Sequence, residues 1–261
     1  MYAHHKQTIE QAVTKLKCDP RIHAVILGGS LAHGFAAESS DIDLMLVLSE
    51  SDYQAALEKG DLKYYDNESA AYPGGYVDGK YISKSFIQAV AEKGSEPARF
   101  AFKDAVVLYT SIGTIDNLIF SASAYPKNKK HENMEKFNAQ FEGWNWMYYE
   151  GLKRNDLYVV SHSVVNLCLF AGRLLLAYNE LLYPYHKWFL RVLSEAKQKP
   201  KDILDMINTA LSTKMESDID KVYTSVKNFH DWPDYQHGWA TRFVIDSEIN
   251  WMKGDVPIAD L

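Results

Sequence analysis

Hydrophobic and polar residues follow different patterns in the two halves of this 261-residue chain. Up to about residue 115, short apolar runs alternate with segments of helical spacing, which predicts strands alternating with helices. The predicted strands are residues 24–27, 44–48, 77–83 and 105–109, and the predicted helices are residues 5–17, 51–59 and 84–93. A short helix is predicted to open at Ser30, and the segment 60–75 favours neither structure.

Beyond about residue 115, helical spacing dominates. We predict helices over residues 131–153, 156–182, 185–198, 201–228 and 237–253. The polar, proline-containing segment 125–130 is typical of a connection between domains. The sequence therefore predicts an α/β domain over residues 1–122 and an all-α domain over residues 123–261.

Composition limits the class of protein further. Hydrophobic residues make up 47% and charged residues 24%, which is the balance of a soluble globular protein. The net charge of −6 argues against a basic surface that follows nucleic acid. Cys18 and Cys168 lie far apart in helix-like sequence, which argues against a disulfide and fits a reducing compartment.

Targeting and membrane signals are weak. The first residues lack the apolar core of a signal peptide. We find no stretch that approaches the roughly 20 apolar residues needed to span a bilayer. The expectation is a cytoplasmic protein without a membrane partner, and the sequence gives no indication of its oligomeric state.

Two short motifs carry the candidate chemistry. Gly28, Gly29 and Ser30 end the first predicted strand, and Asp41 and Asp43 head the next one. Residues two apart on a strand share a face, so both carboxylates project to the same side. Carboxylates bind Mg²⁺, and a glycine turn at a helix N-terminus offers N–H groups to phosphates. Each motif alone is also found in ordinary turns and strand edges, but together they indicate nucleotidyl transfer.

These motifs resemble a known family. Leu-Gly-Gly-Ser at residues 27–30 and Ser-Asp-Ile-Asp-Leu at residues 40–44 are similar to the signature of the DNA polymerase beta-like nucleotidyltransferase superfamily. The resemblance implies a small mixed sheet flanked by helices, one or two Mg²⁺ ions, and ATP or another nucleoside triphosphate as donor. It assigns Gly28, Gly29 and Ser30 to the nucleotide, and Asp41 and Asp43 to the metal.

A third carboxylate has two interpretations. Asp78 lies where the family pattern expects a further metal ligand or a general base. However, Asp78-Gly79 between apolar residues is also typical of a tight hairpin, in which the aspartate is only a turn residue. Glu96, before Pro97, is a second candidate, although a carboxylate there is also typical of a helix start.

In the helical half, Arg173, Tyr-Asn-Glu at residues 178–180 and Tyr-Pro-Tyr-His-Lys-Trp at residues 183–188 resemble, more loosely, the C-terminal part of bacterial aminoglycoside and lincosamide nucleotidyltransferases. The resemblance to the polymerase beta-like superfamily implies a helical domain that closes over the nucleotide. Lys187 follows a helix-breaking proline and is either a phosphate ligand or a solvated lysine. Arg173 lies among apolar residues, where a charge needs a partner, which is either a phosphate or an internal carboxylate. The aromatic segment 143–149 is either a surface for a base or sugar ring, or helix core.

The sequence predicts an enzyme that moves a nucleoside monophosphate, in the simplest case AMP from ATP, to a hydroxyl of a small molecule. The resemblance makes an antibiotic one such acceptor. Two alternatives stay open. One is adenylylation of a protein or tRNA, as in toxin–antitoxin pairs, although the acidic composition argues against a nucleic-acid partner. The other is a non-catalytic nucleotide-binding module.

Overall fold

The computed structural model describes residues 1–254. The chain divides into two compact units between Tyr125 and Pro126. The first unit contains a five-stranded sheet with helices, and the second is largely helical. The predicted fold class, a small mixed sheet followed by a helical region, is confirmed. Residues 255–261, which the predicted second domain included, lie outside the described part of the chain.

The sheet of the first unit is mixed. Its strands are β1 Ile22–Leu27, β2 Ile42–Leu48, β3 Lys63–Asp66, β4 Val77–Ser83 and β5 Val106–Thr110. They are arranged in the order β3-β4-β2-β1-β5, with β2 and β4 parallel and the other neighbours antiparallel. The four predicted strands are confirmed, and β3 falls in the segment that the sequence pattern left open.

Six helices accompany the sheet. They are α1 Ala3–Leu16, α2 Gly29–Ala32, α3 Glu50–Lys59, α4 Lys84–Lys93, α5 Glu96–Phe100 and α6 Ile115–Ser123. Serine at position 51 predicts an N-cap for α3, but the Ser49 hydroxyl is the cap, since it accepts the Asp52 N–H at 3.1 Å and the helix begins at Glu50. Helix α6 was not predicted, and it extends past the expected domain boundary at residue 122.

Both faces of the sheet are covered by apolar side chains. On one face, Ile42, Leu44 and Leu46 pack with residues of β1 and α1. On the other, Val47 packs with residues of β1, β4, α4 and α6. Val47 is fully buried, whereas Asp43, on the same face of β2, is only half-buried. The N-terminal end of β2 therefore leaves room for polar side chains.

A buried carboxylate joins β3 to α1. Asp66 accepts hydrogen bonds from the Ser69 hydroxyl at 2.7 Å, the Tyr64 hydroxyl at 3.0 Å and the Lys15 ammonium at 3.2 Å. Burial by itself raises the pKa of this carboxyl. The hydrogen bonds from Ser69 and Lys15 outweigh burial and lower the pKa to about 2. The charged form of Asp66 is therefore part of the folded structure.

The second unit consists mainly of helices. They are α7 Lys130–Lys153, α8 Leu157–Tyr178, α9 Phe189–Glu195, α10 Ile203–Thr213, α11 Glu216–Lys227 and α12 Trp239–Ser247, with 3-10 turns at Lys127–Lys129, His186–Trp188 and Asn250–Lys253. Helix α7 agrees with the prediction. The other predicted helices are shorter than expected.

The largest difference is in the segment 201–228, which forms two helices instead of one. Lys214 takes a left-handed conformation with φ of 54°, so the backbone turns between α10 and α11. Helix α8 ends at Tyr178, because Asn179 then forms hydrogen bonds with the Gln198 backbone at 2.7 and 2.9 Å. Such turns do not change the spacing of hydrophobic residues along the chain. Hydrophobic spacing therefore did not predict where these helices end.

Helix α8 corrects the expectation that no segment is apolar enough for a membrane. Within the described residues it alone is long and apolar enough to cross a bilayer by length and composition. However, 56% of its most apolar window is buried against the protein. Its buried side chains include Val164, Leu167, Leu174 and Leu175, which is typical of the central helix of a bundle.

Candidate active site

The Gly28-Gly29-Ser30 turn lies between β1 and α2. The Gly28 N–H donates to the Asp43 carbonyl oxygen at 3.0 Å, which joins the turn to β2. Gly29 has φ of +60°, and a Cβ placed on it would lie 1.8 Å from Asp43 Oδ2. The Asp43 carboxylate therefore lies directly against the turn. Glycine meets both requirements, the left-handed backbone and the close approach.

Ser30 occupies the first turn of α2, where the sequence predicted a short helix. Its side chain is buried, and its Oγ has no hydrogen-bond partner among the residues that the structure describes. A buried hydroxyl without a partner costs roughly 1–3 kcal/mol. The first amides of a helix also lack intrahelical partners. The turn therefore presents donors that are suited to an anion.

The second carboxylate of the site comes from the neighbouring parallel strand. Asp78 pairs directly with Asp43 in the register of β2 and β4. Directly paired residues of adjacent strands point to the same face, so these two acids face the same region. The hairpin interpretation of Asp78-Gly79 is wrong, because both residues lie inside β4. Gly79 instead makes room for Tyr64 on β3, whose Cβ would lie 3.2 Å from an added Cβ.

Asp41 precedes β2 and contacts Tyr76, which sequence reasoning missed. The Tyr76 hydroxyl donates a hydrogen bond to the Asp41 carboxylate, and this bond raises the pKa of the phenol. The charge of Asp41, burial, and the charges of Asp78 and Asp43 raise that pKa further. A sequence signal existed, because Tyr76 and Asp78 are two residues apart and share the alternation of an extended chain.

The donor atoms of this site suit a hard divalent cation. Mg²⁺ prefers oxygen ligands, and Asp41, Asp43 and Asp78 offer only carboxylate oxygens. In residues 1–254, however, no group of three or more His, Cys, Asp or Glu side chains is gathered closely enough to hold a metal. The Asp41 carboxylate is engaged by Tyr76 instead. The residues fit Mg²⁺ in chemistry, and Asp43 and Asp78 are paired in the strand register.

Glu96, the other candidate acid, begins α5. It is buried, and it follows Ser95, whose hydroxyl accepts the Ala98 N–H at 3.4 Å. This arrangement agrees with the helix-start interpretation.

The two predicted phosphate-binding cations lie in the helical unit. Lys187 is exposed on the 3-10 turn His186–Trp188, with its ammonium 5.1 Å from the centre of the Trp188 ring. The Arg173 guanidinium lies between the Phe137 and Tyr183 rings, at 4.2 and 4.3 Å from their centres. This stacking stabilises the charge of Arg173 among apolar residues and differs from both predicted alternatives, a phosphate and an internal carboxylate. Their nucleotide-binding roles stay predictions.

Comparison with known proteins places this site in a recognised domain. Residues 7–96 match the nucleotidyltransferase domain family, a range that includes the glycine turn and the three acids. This match supports an enzyme that transfers a nucleotidyl group. No curated protein matches the chain. The narrower resemblance to aminoglycoside and lincosamide enzymes stays a prediction.

Among solved structures, the chain is similar to a nucleotidyltransferase-like protein from Exiguobacterium sibiricum 255-15. The sequence identity is 9% and the TM-score is 0.46. The alignment covers 95% of this chain and 89% of that chain.

Proposed function

We propose that this protein transfers a nucleoside monophosphate, AMP from ATP, to a hydroxyl group of a small molecule in a Mg²⁺-dependent reaction. One observation carries the proposal. Asp43 lies directly opposite Asp78 on a parallel strand, and its carboxylate lies against the glycine turn at Gly29. Carboxylates for a metal and amides for a phosphate are thereby close to one another.

Each residue of the site has a role in this reaction. Asp41 and Asp43 would hold Mg²⁺, for which Asp41 would give up its contact with Tyr76. Asp78 would either complete the metal site or take the proton of the acceptor. Mg²⁺ bound there would supply neutralisation of charge on the phosphates. Gly28 and Gly29 bring backbone amides to the triphosphate, and the Ser30 hydroxyl, which is buried without a partner, gains one. Lys187 and Arg173 are proposed to add positive charge from the helical unit.

The transfer itself exchanges one phosphorus–oxygen bond for another. The acceptor hydroxyl oxygen attacks the α-phosphorus, and the bond from the α-phosphorus to the bridging oxygen breaks, so pyrophosphate leaves. Asp78 is proposed to take the proton of the acceptor hydroxyl as the new bond forms. Holding the oxygen in line with the leaving group supplies much of the rate enhancement.

The acceptor is proposed to be a polyhydroxylated small molecule, such as an aminoglycoside or lincosamide antibiotic. This part rests on the looser resemblance of the helical half. A cytoplasmic location, where ATP and Mg²⁺ are available, belongs to the same proposal. Protein or tRNA acceptors, and nucleotide binding without transfer, are the competing outcomes.

Pyrophosphate release tests the proposal. Purified protein is incubated with Mg²⁺, each of ATP, GTP, CTP and UTP, and a panel of aminoglycosides and lincosamides. We expect release with ATP and one acceptor class, and a decrease of about 100-fold or more in Asp43→Asn. Asp61→Asn is the matched control, because Asp61 is exposed beyond α3 and outside the site.

The acceptor class is identified with ATP labelled at the α-phosphate in cell lysate. Label in the small-molecule fraction supports the proposal, whereas label in protein or RNA supports the competing acceptor. Bound ATP that never releases pyrophosphate indicates a binding module. Equal release from Asp43→Asn and Asp61→Asn contradicts the assignment of the site.

A further inference from the structure

The helical unit contains a cavity of about 1040 Å³ among α7, α8 and α12. All of its lining residues belong to this unit, so its description does not depend on the nucleotidyl-transfer site. Pockets for small molecules typically measure about 300–1,000 Å³. The cavity is therefore large enough for a molecule of several rings.

Aromatic rings form much of the cavity wall. They include Trp144 and Trp146 on α7, Phe170 on α8, and Trp239 and Phe243 on α12. The sequence left open whether the aromatic segment of α7 is core or a ligand surface. In the structure, part of the segment is core and part of it is exposed. Tyr148 is fully buried and donates to the Lys214 carbonyl oxygen at 2.9 Å, whereas Trp146 is 52% exposed.

Specific contacts hold the Phe243 and Trp144 rings in place. Gly143 has no side chain, so the Phe243 ring lies against the backbone of α7, where a Cβ would be 2.2 Å from its Cδ2. The Trp144 indole N–H donates to Gln140 Oε1 at 2.9 Å, and Gln140 Nε2 donates to Ser247 Oγ at 2.8 Å. Rings fixed in this way lose little conformational entropy when a ligand binds.

The charges around the cavity favour a cation. Lys136 pairs with Glu132 at 2.6 Å, and Asp246 pairs with Arg242 at 2.7 Å, so these two lining charges are compensated. The third charged lining residue, Glu248, forms no ion pair with another residue of the described chain. Aromatic faces also attract cations. A negatively charged ligand would be repelled by Glu248 and by the aromatic faces.

We propose that this cavity binds a small planar aromatic molecule that carries one positive charge. The flat rings stack on the ligand, and Glu248 attracts its charge at the edge of the cavity. The cavity is a second candidate site, within the helical unit, and ligand binding there does not require nucleotide transfer.

Berberine, a planar cationic dye, is the probe, and 8-anilinonaphthalene-1-sulfonate is the anionic comparison. We expect berberine fluorescence to rise on binding with a Kd of about 1–100 μM. The anionic dye should bind at least about tenfold more weakly. In Glu248→Gln, berberine affinity should fall about two- to fivefold while the affinity for the anionic dye does not fall.

Two variants test the position of the site. Trp239→Ala removes one wall, and Ala240→Phe places a ring into the cavity from an exposed position on α12. Both should weaken berberine binding by about tenfold or more. Trp251→Ala, an exposed tryptophan outside the lining, should leave it unchanged.

Unfolding temperatures show whether each variant is folded. If Trp239→Ala does not fold, Ala240→Phe decides the question, because its site is exposed. The proposal is wrong if berberine does not bind the unmodified chain, if both cavity variants bind it as tightly as Trp251→Ala, or if the anionic dye binds equally well.

Discussion

Asp43 and Asp78 lie opposite each other on the parallel strands β2 and β4. Neighbouring strands are about 4.8 Å apart, so two carboxylates share a small area on one face of the sheet. Like charges in directly opposed positions destabilise a sheet. The pairing is fixed by backbone register, so it does not depend on the conformation of either side chain. Carboxylates placed in this way are suited to a divalent cation, which is why the proposed function gives this pair its central role.

Gly29→Ala should disrupt the site at its closest contact. The new Cβ would overlap Asp43 Oδ2, and the left-handed backbone is unfavourable for alanine by about 1–2 kcal/mol. We expect a lower free energy of unfolding in urea. Pyrophosphate release should fall about 100-fold, because Asp43 must move by more than an ångström.

Gly34→Ala is the control for backbone strain. Gly34 has φ of +71°, but an added Cβ meets nothing within 4 Å. Its stability should fall by a similar amount, about 1–2 kcal/mol, while the rate of release is retained. Equal rates in the two variants would show that the contact with Asp43 does not matter for activity.

Ser30→Ala should weaken the binding of ATP without lowering the stability of the protein. The Ser30 hydroxyl is buried without a partner, so its removal should leave stability unchanged or raise it by up to about 1 kcal/mol. If this hydroxyl binds phosphate, the KM for ATP should rise about tenfold or more. Ser163→Ala is the matched control, since the Ser163 hydroxyl on α8 is also buried without a partner. A Ser30 variant with lower stability and an unchanged KM contradicts the assignment.

Tyr76→Phe should change the metal requirement. The variant removes the hydrogen bond to Asp41 and leaves that carboxylate available to Mg²⁺. We expect the Mg²⁺ concentration for half-maximal release to fall about two- to tenfold, which corresponds to one hydrogen bond. Tyr65→Phe is the control, because Tyr65 is exposed and its ring centre lies 5.5 Å from that of Tyr76. A higher Mg²⁺ requirement would instead mean that Tyr76 supports the metal site.

Asp66→Asn should reveal a pH-dependent part of the stability. The folded protein holds the pKa of Asp66 at about 2, below its ordinary value of 3.8. Protonation therefore favours the unfolded chain, and the contribution of Asp66 is complete above about pH 4 and is lost as the pH falls towards 2. From this difference we expect Asp66→Asn to be less stable by about 2 kcal/mol at pH 7.

Urea unfolding of both proteins between pH 7 and pH 2 measures this effect. The difference in free energy of unfolding should shrink over the range from pH 4 to pH 2. Glu68→Gln is the control, because Glu68 also contacts Lys15 at 3.1 Å but is largely exposed. A stability difference for Asp66→Asn that stays constant with pH would contradict the role of its charge.

The sequence predicted the positions of the motif residues in the fold, because those positions depend on neighbours in sequence. Gly28, Gly29 and Ser30 lie in the predicted turn, Asp41 immediately precedes β2, and Asp43 is the second residue of that strand. Tyr76 was missed because its contact with Asp41 joins residues 35 positions apart, and its two-residue spacing from Asp78 does not by itself indicate that contact. The stacking of Arg173 between two rings was missed for the same reason.

The sequence by itself determined the order of the elements and the two motifs, because apolar period and turn residues act over a few positions of the chain. It also indicated the change from an α/β half to a helical half. Only the tertiary structure decided that Asp78 faces Asp43, since strand register depends on pairing between distant segments. The tertiary structure also decided the position of the aromatic cavity. Its rings come from three helices that are distant in sequence, so no local pattern brings them together.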